Sequence, residues 1–369
     1  MTPRDDSTAA SGEMIGNEFP TTAGTLALVN LEAQIDGLER EAIAGQLDVG
    51  GRAELIELVA LRGHILGCIA DYEWAERLAE QLVSDAPSDG VAIFTRARAR
   101  ATFHRFLDAL TDLDKAKRLG AEPAVVDAER AAIFQAVGQY DQALTIYCDA
   151  AERRADFGSL GALATLYAER GETVAAERCF DESRDRYRGV SPFPLAQLEF
   201  RRGLMWITQG KLQRARTWLA AAHRRLPGYA PAQGHLAEVE ASLGETDSAI
   251  ARLRPLTISS DDPDYGAQLA GILTNLGRVE EAHEWRDKAA RRYEELIASH
   301  TAAFADHAAE FWLEAGADPQ RALRLAQKNL EVRQTPRAYE LLIRATQAVG
   351  GAATVPTSYQ SPSRVKPQL

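Results

Sequence analysis

A chain of 369 residues, 46% hydrophobic and 26% charged, has globular composition and is long enough for two domains or one elongated array. Its net charge of −11 lacks the basic footprint that binding a phosphate backbone requires, so nucleic acid is not an expected partner. Three scattered cysteines, Cys68, Cys148 and Cys179, have no CxxC or CxxH spacing and read as reduced packing residues, and no apolar run approaches the roughly 20 residues that insert across a membrane.

Residues 1–24 are rich in Ser, Thr, Asp and Gly with no apolar signal core. They are expected to be disordered, in a cytoplasmic protein, or a periplasmic one if a leader is missing. Residues 25–51 carry the stripe Leu28, Leu31, Ile35 and Leu38 and close at Gly50 and Gly51, which predicts an N-terminal capping helix.

Beyond it one alanine recurs, as Ala75, Ala109, Ala143, Ala176, Ala215, Ala249, Ala282 and Ala322, at intervals of 34, 34, 33, 39, 34, 33 and 40. Its neighbours recur with it. Five residues earlier stand Gly138, Gly171, Gly210, Gly244 and Gly277, replaced by Ala70, His104 and Ala317 in the first two units and the last. A tight turn between helices needs glycine's freedom there. Twelve residues earlier the side chain is small, from Gly63 and Ala97 to Ala237 and Ala270, except for Glu310 in the eighth unit. Nine earlier it is large, as in Phe134, Tyr167 and Trp206, interrupted by Arg100 and Glu240. Apolar positions at i, i+3, i+4 and i+7 give each helix one stripe to bury, and no helix pair buries its stripe alone. The 39-residue interval falls at Pro192 and Pro194, which impose an extended linker and separate units 1–4 (52–191) from units 5–8 with a C-terminal cap (192–350). The 40-residue interval lengthens the second helix of unit 7 to about Ser299. A capping helix follows from Pro336 to Val349, and residues 351–369, with three prolines, are expected to be unstructured.

This pattern resembles the tetratricopeptide repeat, in which small residues fall at the eighth and twentieth places and large ones at the eleventh and seventeenth. GQYDQALTIY, GKLQRARTWL, GETDSAIARL and GRVEEAHEWR are second-helix openings of that kind, and the resemblance covers about residues 56 to 350. It implies an all-α fold: an α-α superhelix, or solenoid, of about eight helix-turn-helix units with a capping helix at each end. It also implies a protein-interaction scaffold that holds a peptide or helix of a partner on its concave face. The alternative is a regulatory sensor whose curvature changes on binding a peptide or small ligand.

By the resemblance, concave side chains lie 15, 11 and 8 residues before each alanine. The candidate partner-binding residues are then Phe94, Arg98, Gln135, Phe200, Leu204, Ile207, Glu238, His307 and Phe311. A mostly small lining with a few apolar anchors suits an extended peptide or helix. The positions at which related scaffolds grip acidic chaperone tails hold Ala60 and His64 here, so that partner is disfavoured.

No catalytic residue, metal site or cofactor is expected. His64 and Cys68 are four apart, half of a metal site with no second pair. No HExxH, GxSxG or P-loop sequence occurs. Arg96, Arg98, Arg100 and Arg105 form the one basic cluster and read as a solvated helix surface offset by Asp108, Asp112 and Asp114.

Overall fold

The computed structural model describes residues 20–350, so the expectations for residues 1–19 and 351–369 lie outside the described residues. Those described form 17 helices and no strand. A leading helix α1 (Gly24–Ile43) precedes eight antiparallel pairs. They are α2 (Val49–Leu66) with α3 (Ile69–Asp85), α4 (Gly90–Thr102) with α5 (Phe106–Arg118), α6 (Pro123–Ala136) with α7 (Tyr140–Arg153), and α8 (Phe157–Glu169) with α9 (Thr173–Arg186). Then come α10 (Phe193–Thr208) with α11 (Leu212–Arg225), α12 (Ala230–Ser242) with α13 (Thr246–Ser259), and α14 (Pro263–Asn275) with the first part of α15 (Val279–Leu313). The second part of α15 pairs with α16 (Pro319–Val332), and α17 (Pro336–Ala348) closes the array. Units 7 and 8 share α15 because the chain there bends without breaking, at His300 (φ −138, ψ 52).

The eight alanines are the centres of the pairs: none is more than 3% exposed. Their partners on the first helices are as small as the spacing predicts, because larger ones would part the helices. At Gly203 a Cβ would stand 2.8 Å from the Leu219 side chain, closer than carbon atoms approach. In the eighth unit the buried small residue is Ala309, one place before Glu310, so the register of that helix is shifted by one. Glu310 instead receives a hydrogen bond from Arg337 at 2.8 Å.

The turns follow the period with one displacement. The five turn glycines have positive φ, and where glycine is missing His104 (φ 55) and Ala317 (φ 51) adopt the same left-handed conformation. In unit 1 the left-handed residue is Gly67 rather than Ala70, and α3 starts early, at Ile69. The reason lies far away in sequence. Asp261 accepts hydrogen bonds from the Ile69 and Ala70 amides, at 2.5 and 3.0 Å, and so caps the extra turn.

Arg100 and Glu240, which interrupt the apolar pattern, are both in ion pairs with the second helix of their own unit. Arg100 bonds Asp112 at 2.8 Å and Glu240 bonds Arg252 at 2.8 Å, the partner in each case 12 residues on. One register position is thus filled by the same pair with its charges exchanged. Arg96 also binds Asp112, at 2.7 Å, and both arginines reach Glu80 of α3. The expected solvated basic surface is therefore, at Arg96 and Arg100, a half-buried ion-paired seam between helices.

The solenoid winds far enough to meet itself. The turn of unit 1 docks on the α13–α14 junction, where the Ser260 hydroxyl donates to the Gly67 carbonyl. The turn of unit 2 docks on the bend in α15: Phe103 stacks on His300 with ring centres 4.0 Å apart, and His104 Nδ1 lies 3.0 Å from the Ala302 carbonyl. The turn of unit 3 docks on the α16–α17 junction, where the Gln334 amide donates to the Val137 carbonyl at 3.1 Å. His64 Nε2 lies 2.9 Å from the Tyr229 hydroxyl between α2 and the start of α12, and Thr22 donates to Val190 at 2.8 Å. The unit 1 and unit 2 clasps join residues 193 and 198 apart, between five and six 34-residue periods. One large hydrophobic cluster runs from Leu31 through Phe180, Ala196 and Leu219 to Val239, across the α9–α10 junction, where Pro192 (φ −75, ψ −21) caps α10 and Pro194 lies in its first turn instead of in an extended linker.

Candidate functional site

The first helix of each unit faces the inside of the superhelix. On that face α2, α4 and α6 enclose a cavity of about 340 Å³. Its lining includes the apolar side chains Ile56, Ala60, Tyr72, Phe106, Ala132 and Ile133, together with Ala101 and Thr102. Arg98 sits in the lining and is half-exposed. Its Nη1 donates to Glu57 at 2.6 Å, and its Nε lies 3.7 Å from Glu129. One guanidinium from α4 therefore bridges two carboxylates, one from each flanking first helix, and leaves the site with one net negative charge. Burial raises the pKa of Glu129, Arg98 opposes this, and the like charge of Glu57 adds to it.

Glu57 and Glu129 were not among the candidate residues. Glu129 lies 14 residues before its alanine, beside the concave position assigned to Ala128, and Arg201 holds the same place in unit 5. Arg201 is exposed, and its charge acts on His64, Tyr147, Glu169 and Tyr229, side chains from four units. A charged residue beside the small-lined stripe was the signal available in the sequence.

No family model matches the sequence, and no curated protein matches it. Solved structures match in shape. A monomeric mutant of IFIT1 with m7Gppp-AAAA superposes on 88% of this chain and 78% of its own, at 14% identity and a TM-score of 0.52. The human IFIT1 dimer with m7Gppp-AAAA does so over 85% and 76%, at 15% identity and a TM-score of 0.54. A tetratricopeptide repeat protein from Parabacteroides merdae covers 69% of this chain and 97% of its own, at 18% identity and a TM-score of 0.41. The recurring pairs, their buried alanines and their left-handed turns decide the fold. It is a tetratricopeptide-type solenoid.

Within this solenoid the candidate residues fall into three groups. Arg98 lines the cavity, and Phe94 is half-buried between two hydrophobic clusters just outside it. Gln135 is 8% exposed and its amide donates to Glu169 at 2.8 Å, which ties unit 3 to unit 4. In unit 5, Phe200 is 5% exposed and packs edge-on against Tyr229, 5.3 Å between ring centres, and against His235. Leu204 and Ile207 are partly buried against the same core. The start of α12, in the next unit, packs against Phe200, so the apolar side chains of unit 5 belong to the packing between units 5 and 6.

The remaining candidates lie further round. Glu238 is exposed and 2.9 Å from His235 Nδ1. Phe311 is 3% exposed, against Tyr293 and Trp312, because the one-residue shift in unit 8 turns it inward. His307 remains exposed to solvent beside Asp306, whose charge raises its pKa. His64, by contrast, is held neutral by burial, with its pKa lowered to about 4. Its ring is engaged by Tyr229, and Cys68 precedes α3. Among the described residues no group of three or more His, Cys, Asp or Glu is arranged to hold a metal ion, and no helix is long and apolar enough to cross a membrane.

Proposed function

We propose that this protein is a non-catalytic interaction scaffold that takes a peptide segment of a protein partner on the concave face of units 1–3, with a basic side chain entering the cavity at Arg98. The single observation that carries this reading is that cavity: lined by apolar side chains and by Glu57, Arg98 and Glu129 from three successive first helices. The apolar lining supplies burial, and the surplus carboxylate supplies selectivity for a basic group.

The ligand in the IFIT1 structures, m7Gppp-AAAA, does not suit this interior. Glu57 and Glu129 line its cavity, Glu169 lines the adjoining groove, and the chain's charge of −11 opposes a polyphosphate. The sensor alternative requires a change of curvature, and the clasps at Gly67, His104 and Gly138 resist one.

Panning a random-peptide library against the intact chain tests the proposal. Enriched peptides should carry Lys or Arg and should bind Ala132→Trp, which fills the cavity, at least tenfold more weakly. Peptides that bind both proteins equally would remove the cavity from the argument.

A further inference from the structure

The turns of units 1–3 are covered by the second winding of the superhelix, and those of units 4 and 5 are not. At unit 3 the cover is a short extended segment: Arg333 (φ −129, ψ 112) and Thr335 (φ −89, ψ 160) flank Gln334. The Gln334 amide donates to the Val137 carbonyl, and Arg333 Nε donates to the Ala136 carbonyl at 3.1 Å. Its Nη1 meets Asp306 at 3.1 Å. The carbonyls at the end of a helix have no partner within it, and a passing strand with an arginine satisfies them.

Units 4 and 5 present the same groups uncovered. Arg170 and Gln209 stand, like Val137, immediately before the turn glycine, and their carbonyls accept no hydrogen bond from any described residue. Around Gly171 and Gly210 there is open space, whereas Gly138 lies against the Gln334 backbone. A groove of about 1360 Å³ runs from the unit 2 turn past unit 3 to these two turns, and Glu331, Val332 and Gln334 of the covering segment form part of its wall. Five carboxylates, among them Asp141, Glu169 and Glu172, line it against two guanidiniums, Arg105 and Arg170.

We infer that the groove over units 4 and 5 is a docking surface for an extended, arginine-bearing segment of a partner protein, held as the chain holds its own Arg333–Thr335 at unit 3. The segment's amides meet the Arg170 and Gln209 carbonyls, and its arginine meets the surplus carboxylates. This groove adjoins the concave cavity, sharing His104 and Phe106 with it, but its carboxylates and turn carbonyls are its own, and neither assignment depends on the other.

A fluorescein-labelled peptide with the chain's own sequence from 330 to 337, titrated into the full chain and followed by anisotropy, is the direct test. Saturable binding is expected. It should weaken at least fivefold when the peptide's arginine corresponding to Arg333 is replaced by glutamine. It should weaken equally in Glu172→Lys and in Thr208→Trp, two surface changes that leave the melting temperature unchanged and distinguish this groove from exchange at unit 3. Absence of saturable binding, or binding indifferent to both protein variants, overturns the inference. So does a carbodiimide crosslink from Lys366 to Glu172 in the full chain without peptide, since the protein's own C-terminal segment would then be the occupant.

Discussion

Units 1–3 and unit 5 start from the same repeat and end with opposite uses of the same face. On α2, α4 and α6 that face carries small residues and three charges, and it stays open as a cavity. On α10 it carries Phe200, Leu204 and Ile207, and the start of α12 in the next unit packs against Phe200. Large apolar side chains on the inner face of a superhelix are therefore weak indicators of a binding groove when the next unit packs on them. They fill the space that a partner would need. Small residues flanked by charge mark where space remains.

The contrast can be broken most severely at unit 5. Phe200→Ala should lower unfolding stability by about 3 kcal/mol in urea denaturation, since a buried ring leaves a cavity that Tyr229 and His235 cannot fill. Peptide binding at units 1–3 should persist in whatever fraction remains folded. Loss of binding with stability intact would instead make unit 5 the site.

Glu129→Gln should be the converse. Binding of a basic peptide weakens about tenfold, or about 1.4 kcal/mol, while thermal melting barely moves. The pH dependence sharpens the same point. A carboxylate whose folded pKa is raised takes up its proton at higher pH than usual, so affinity is full above that pKa and is lost as pH falls through it. Isothermal titration from pH 8 downward should show the decline beginning above the ordinary carboxylate range, and Glu129→Gln should flatten it. The smallest effect is expected for Arg98→Ala, below about 1 kcal/mol of stability, because its half-exposed pairs are screened by solvent.

The fold was legible because its rule is local. Each alanine anchor, each small partner and each left-handed turn answers to neighbours within one 34-residue period, down to His104 and Ala317 standing in for glycine. The fit failed where distant chain intervened. Gly67 displaced Ala70 as the turn of unit 1 because Asp261 caps α3. Phe200 and Phe311 depart for nearer reasons: Tyr229 of the next unit packs on Phe200, and Phe311 packs on Tyr293 and Trp312 in a helix whose register is shifted by one. The superhelical pitch accumulates from small rotations at every interface, and no spacing in the sequence records it. Of the cavity, Arg98 was legible from its register, and its carboxylate partners were not, since Glu129 lies one residue and Glu57 three residues off the assumed positions.

The three clasps also bear on how the molecule is made. An open solenoid gains each unit as soon as it is synthesised, because every contact is with the unit before. Here the turns at Gly67, His104 and Gly138 must wait, after they emerge, for residues 193 to 198 positions later. At about 5–20 residues per second that is roughly ten to forty seconds of translation with the first winding unclasped. Completion of the chain then joins first units to last, so the finished protein should unfold in a single cooperative step where an open array of equal length would fray from its ends.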